Sequence, residues 1–165
     1  MLNLSLKKIN SRSPYFVSSV GEDVFSFSTD YGVDYELGFI EDHMLEFDKL
    51  YQFFLLTKNG AKPVKDPKIL VTVYAVLEEF FQDGNLILDY VCDTNDGRQE
   101  ARSRLFYHWF DVNPKSPGFT CSRIITACDG VGYYAAVVVR NDNPHYRECM
   151  EAIDSFIKNI NDKLR

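Results

Sequence analysis

Residues 33–40, VDYELGFI, place Val33, Tyr35, Leu37 and Phe39 on one side of an extended chain and Asp34 and Glu36 on the other. Side chains alternate across a strand, so this pattern fits a strand with one packed face and one wet face. Phe25 and Phe27 alternate with Ser26 and Ser28 in the same way. The intervening segments GED (21–23) and DYG (30–32) carry turn chemistry, and residues 15–40 therefore read as a three-stranded antiparallel meander. Such a meander needs a second layer over its apolar face.

The rest of the chain supplies that layer. In DPKILVTVYAVLEEFFQDG (66–84), Asp66 is a natural N-cap, Pro67 suits the first helical position, and Gly84 is the expected stop. Ile69, Leu70, Val73, Val76, Leu77, Phe80 and Phe81 form one broad apolar stripe along this helix. NLILDYVC (85–92) reads as a buried strand, and the segment after it as a helix beginning near Asp96 or Gly97. FTCSRIITAC and YYAAVVVR form a hairpin across Asp129-Gly130, with the apolar run Ala135–Val139 as a central strand. Asn143 and Pro144 open a last amphipathic helix with an inner stripe of Tyr146, Cys149, Met150, Ile153, Phe156, Ile157 and Ile160. KLYQFFLLTKNG (49–60) satisfies helical spacing as well, but its aromatic content and the Asn59-Gly60 stop favour a strand.

The resulting order is β-β-β-β-α-β-α-β-β-α. It implies an α+β two-layer sandwich, with a mainly antiparallel sheet, three helices, and a second sheet face left for solvent or a partner. No repeat or linker divides the chain, so residues 1–165 are expected to form one domain, with residues 1–12 flexible.

Composition narrows the function classes. Hydrophobic residues make up 45% of the 165, with 13 Phe and 10 Tyr, enough for a core without metal or disulfide support. The opening residues lack the order of a secretory signal, and no apolar run approaches the ~20 residues of a membrane span. A cytoplasmic protein is expected, with Cys92, Cys121, Cys128 and Cys149 as free thiols. Their spacing matches no zinc motif, and His43, His108 and His145 supply no paired ligands, so neither metal nor cofactor is expected. The net charge of −6 opposes nucleic-acid binding. Residues 21–48 hold nine Asp or Glu and no Lys or Arg, while residues 49–68 hold five Lys and one Asp. The acidic stretch reads either as a solvated sheet face or as a docking face for a basic partner.

The densest chemistry is in CDTNDGRQEARSRLFYHWF (92–110). A loop joining a strand's carboxyl end to a helix's amino end favours anions. Arg98 and Arg102, one turn apart, could fork a phosphate there, with Asp93 orienting them. A structural reading uses the same residues differently. Asp96 and Gln99 would form a capping-box variant, Glu100 and Arg104 a surface pair, and Ala101, Leu105, Trp109 and Phe110 the inner stripe. That reading leaves Asp93, Arg98 and Arg102 as the candidate ligand-binding residues, with no catalytic residue assigned.

The pattern YVCDTNDGRQEARSRLFYHWF resembles a set of short bacterial proteins grouped only as a domain of unknown function. The likeness extends to DYGVDYELGF, to the Asp66-led helix with Phe80-Phe81, and to YYAAVVV. It implies a fold of its own kind and no activity, cofactor or partner. The expected function is a small bacterial cytoplasmic binding module, docking a basic protein partner through the acidic sheet region. The alternative is an enzyme or receptor for a phosphorylated small molecule or nucleotide, using Asp93, Arg98 and Arg102. A homodimer through the uncovered sheet face is consistent with either.

Overall fold

The computed structural model describes residues 2–58, 64–92 and 97–163. Among them are seven strands in one mixed, mostly antiparallel sheet of order β1-β2-β3-β4-β5-β7-β6, and four α-helices. The α+β class and the expected order of elements along the chain stand, with one helix added before the first strand. The chain divides into two compact units, Met1–Ile40 with Phe53–Asp83, and Glu41–Gln52 with Gly84–Arg165. No helix among the described residues is long and apolar enough to cross a membrane.

The first unit opens with a helix rather than a flexible lead. In α1 (Leu6–Arg12), Ser5 caps the start by accepting the Lys8 N–H, and only Ile9 is buried. Seven residues with one buried apolar side chain leave no periodic signal, and isolated helices this short are marginal. Tertiary anchors hold it. It packs on α2, and Glu79 of α2 accepts the Ser5 N–H at 3.2 Å and the Arg12 guanidinium at 3.0 Å.

Strands β1 (Ser18–Gly21), β2 (Val24–Ser28) and β3 (Asp34–Glu41) make the expected meander, with Phe25 opposite Leu37 and Phe27 opposite Tyr35. Val33, Tyr35, Leu37 and Phe39 are all buried, as the alternation requires. Their rings stack in series: Phe27 on Tyr35 at 5.2 Å, and Phe39 on Phe80 at 4.6 Å. Gly38 is needed where it stands, because a Cβ there would lie 2.5 Å from the Asp23 carbonyl oxygen.

Asp66 caps α2 (Pro67–Phe80) by accepting the Lys68 N–H at 3.0 Å, and Pro67 is its first residue. The helix stops at Phe80, four residues before the expected Gly84. Phe81 leaves the helical conformation and packs edge-on against Phe80 at 4.9 Å. Burial of that ring, and not glycine, sets the end.

The ambiguous segment is a strand, β4 (Leu50–Thr57), whose first residues, in the second unit, run parallel to β5 (Ile87–Val91), with Leu50 opposite Ile87 and Gln52 opposite Asp89. The Asn59-Gly60 stop lies outside the described residues. Strands β6 (Phe119–Cys128) and β7 (Val131–Arg140) form the hairpin, and β7 lies between β5 and β6 as a central strand. Asp129 and Gly130 both take positive φ (52° and 77°), as a two-residue type I′ turn demands. The stripe of α4 (Tyr146–Lys163) closes over Leu50, Ile87, Ile124, Val137 and Val139 through Cys149 and Ile153. Helix α3 (Gln99–Val112) lies on the opposite face, where Phe106 stacks on Tyr90 at 4.7 Å and the Tyr107 hydroxyl donates to the Ala135 carbonyl at 3.1 Å. The second sheet face is thus covered in this unit, not open.

Candidate functional site

The candidate residues around α3 separate on inspection. Asp93 and Asp96 lie outside the described residues. The helix begins at Gln99, later than the expected Asp96 or Gly97, with Arg98 as N-cap and no side-chain cap. Gln99 does not complete a capping box, since its side-chain amide donates to the Gly132 carbonyl on β7 at 2.9 Å. Glu100 and Arg104 form the expected surface pair at 3.0 Å. The predicted inner stripe is rotated. Gln99, Ser103 and Tyr107 are the buried residues, while Ala101 and Leu105 face outward. An amphipathic helix is read from apolarity alone, but here the buried row is polar because β7 carbonyls accept its donors.

Arg98 and Arg102 are one turn apart, linked by the Arg102 N–H to the Arg98 carbonyl at 3.0 Å. Arg98 is exposed and Arg102 half-buried. Arg102 lies near the carboxyl end of β5, beside Tyr90 and Cys92. Burial pushes the Tyr90 phenol to about 12 and the Cys92 thiol to about 11, and the nearby Arg102 charge partly opposes both shifts. Cys92 is thus a protonated, inert thiol at neutral pH.

A second titratable feature was missed in the sequence. Asp89, in the middle of β5, is 0% exposed, and neither of its oxygens accepts a hydrogen bond. Its register neighbours are Gln52 and Val137. Burial first, then the neighbouring Asp42 carboxyl, push its carboxyl up to about 8. Asp42 is held below the usual carboxylate range by its neighbour Asp89, then by the backbone N–H groups of Met44 and His43. The Met44 bond measures 2.8 Å. At neutral pH Asp89 therefore keeps its proton beside a charged Asp42. The signal was present as one acid in the otherwise apolar NLILDYVC. No group of three or more His, Cys, Asp or Glu suited to a metal ion occurs among the described residues.

The acidic stretch is largely occupied within the first unit. Asp30 pairs with Lys68 at 2.8 Å and Glu36 with Lys58 at 3.9 Å, while Asp23 accepts the Leu2 N–H and Asp34 the Ser28 hydroxyl. Of the acids in residues 41–48, Glu41, Glu46 and Asp48 are exposed.

The third feature is the outer edge of β6. Cys128 and Val131 close a two-residue hairpin, so even-numbered residues of β6 exchange bonds with β7 and odd-numbered ones turn their backbone outward. No other described residue meets the outward groups of Cys121, Arg123, Ile125 and Ala127. Arg123, Ile125 and Ala127 are exposed, Ile125 by 57%. The Arg123 guanidinium rests 3.6 Å from the centre of the Tyr107 ring.

The sequence matches the model of a family of unknown function, DUF6169, over residues 65–155, more than half of the chain. The chain belongs to DUF6169. The matched span begins just before α2 and ends within α4. In this DUF6169 protein it therefore holds Asp89, Arg98, Arg102 and all of the β6–β7 hairpin, while Asp42 and the meander precede it. No curated protein matches the chain.

Proposed function

We propose that this protein is a docking module of the bacterial cytoplasm that binds an extended polypeptide strand along β6. One observation carries the reading: on the edge strand β6 the outward backbone groups of Cys121, Arg123, Ile125 and Ala127 hydrogen-bond to no other described residue. Edge strands normally carry a guard such as a bulge, proline, lysine or an inward charge. The β1 edge is four residues long and bulged between Ser19 and Gly21. Phe119–Cys128 has no Pro, Lys, Asp or Glu, and its one charge, Arg123, lies over the Tyr107 ring. An added strand would take its affinity from the main chain and its selectivity from alternate side chains such as Ile125. The cytoplasmic placement rests on four free cysteines, and the bacterial one on the resemblance described above. Docking of a basic partner through residues 21–48 is less favoured, since Asp30 and Glu36 already face the chain's own lysines.

A photo-crosslinking residue in place of Ile125, expressed in cells, tests this, with the same residue in place of the exposed Leu56 on β4 as control. An adduct at position 125 and none at 56 is expected. Equal labelling at both positions, or none, removes the reading.

A second reading, a receptor for a phosphorylated small ligand using Asp93, Arg98 and Arg102, is favoured by the α3 amino end having no side-chain cap. Thermal shift against nucleotides would then raise the melting temperature of the wild type and not of Arg102→Ala. Equal shifts in both proteins, or none, exclude it.

A further inference from the structure

The outer face of β6 is self-complementary in one register. Its outward backbone residues are odd-numbered, so two copies can pair antiparallel about an odd residue and exchange both bonds of each pair. Centring on Arg123 would set two guanidiniums opposite each other. Centring on Ile125 sets the two exposed isoleucines side by side and places Arg123 opposite Ala127. The two arginines then stand four residues apart, about 13 Å at ~3.3 Å per residue, beyond the screening length in physiological salt. In the same register Asp129, the first turn residue beyond Cys128, comes just past the end of the ladder near Arg123, whose long side chain would leave its own Tyr107 ring to reach it. The symmetry axis makes this contact twice. The acids that give the chain its charge of −6 are absent from the strand itself.

We infer that the strand docking on β6 is β6 of a second copy of this chain, antiparallel and centred on Ile125, with Arg123 of each copy facing Asp129 of the other. This rests on the reading of β6 as a docking edge and names its partner. The contact is isologous, so it closes as a dimer and does not propagate into fibres.

Sedimentation equilibrium from about 1 to about 100 μM, where micromolar interfaces fill, is the test. The wild type should move from 19.1 kDa to twice that mass. Arg123→Asp alone and Asp129→Lys alone each oppose like charges at both contacts, and each should weaken self-association roughly tenfold or more. Mixed one to one, the two variants restore both ion pairs and should form a heterodimer. Ala127→Pro removes only an outward N–H, keeps every β7 bond, and should be monomeric with unchanged circular dichroism. A monomeric wild type across the range overturns the inference. So does an Ala127→Pro protein that still dimerises, or a mixture no tighter than its components. The crosslink at position 125 separates the two failures. An adduct whose added mass is not 19.1 kDa keeps β6 as a docking edge and excludes the second copy, while no adduct sinks the docking edge itself.

Discussion

Glu79 in the first unit and Asp89 in the second are both buried carboxyl groups, and the two sites offset the loss of water in opposite ways. Glu79 lies on a helix that faces α1, so a guanidinium and a backbone N–H reach it. Asp89 lies inside a sheet between Val137 and Gln52. The charged group that acts on it is another acid, Asp42, and Asp89 keeps its own proton in place of a counter-charge. Burial of a charge is tolerable only with a partner, and otherwise the group neutralises. The two sites show both outcomes in one chain.

The largest test of that contrast is pH. The folded value of Asp89, about 8, stands above the ~3.9 of an unfolded aspartate. Its protonated form therefore stabilises fully below pH ~4, and that contribution is lost as pH rises to about 8. The slope is about 1.4 kcal/mol per pH unit and the total on the order of 5 kcal/mol. Asp42, lowered, works the other way at more acid pH, where its protonation costs stability. Urea unfolding of the wild type should weaken steeply from pH 5 to 8, and Asp89→Asn should flatten the profile. An Asn variant that keeps the wild-type slope would show that the proton resides elsewhere.

Arg12→Ala comes next. It leaves Glu79 buried without its cation, at a cost of about 2–3 kcal/mol, below the 3–5 of fully buried pairs because Arg12 is partly exposed. A loss below ~0.5 kcal/mol would mean that the guanidinium is not what holds Glu79. Asp42→Asn should act more weakly. Removing the anion relaxes Asp89 toward the value set by burial alone and narrows the pH window, with about 1 kcal/mol of change near neutrality. Titration of the Asp89 carboxyl by NMR reads this directly, and an unmoved midpoint would dissociate the pair. Lys58→Ala, breaking a part-exposed contact of 3.9 Å with Glu36, should fall within ~0.5 kcal/mol and marks the floor of the series.

Much of the fold was legible because its periodicities were clean. The meander, the Asp66 cap, the I′ hairpin and the α4 stripe each follow from local chemistry that tertiary contacts reinforce. The α3 stripe departs from its apolar pattern because Tyr107 and Gln99 are drawn inward by carbonyls of β7 that are distant in sequence. Of the candidate site, the sequence singled out Arg98 and Arg102 but gave no sign that one is exposed and the other half-buried beside Cys92. The β6 edge was read as a strand, not as an edge, since strand order is a property of the assembled sheet.

The sequence by itself determined the α+β class, the alternation that buries Val33, Tyr35, Leu37 and Phe39, and the turn at Asp129-Gly130. Those depend on side-chain period and backbone sterics, which act over a few residues. Tertiary structure alone decided that α1 forms, that Asp89 meets Asp42, and that β6 ends up at the edge of the described sheet, next to β7. Each depends on which distant groups arrive as neighbours: a salt bridge from α2, a second carboxyl across a strand, a sheet that stops. Local pattern specifies what a segment can become, and packing decides what surrounds it and therefore what charge it carries and what it can bind.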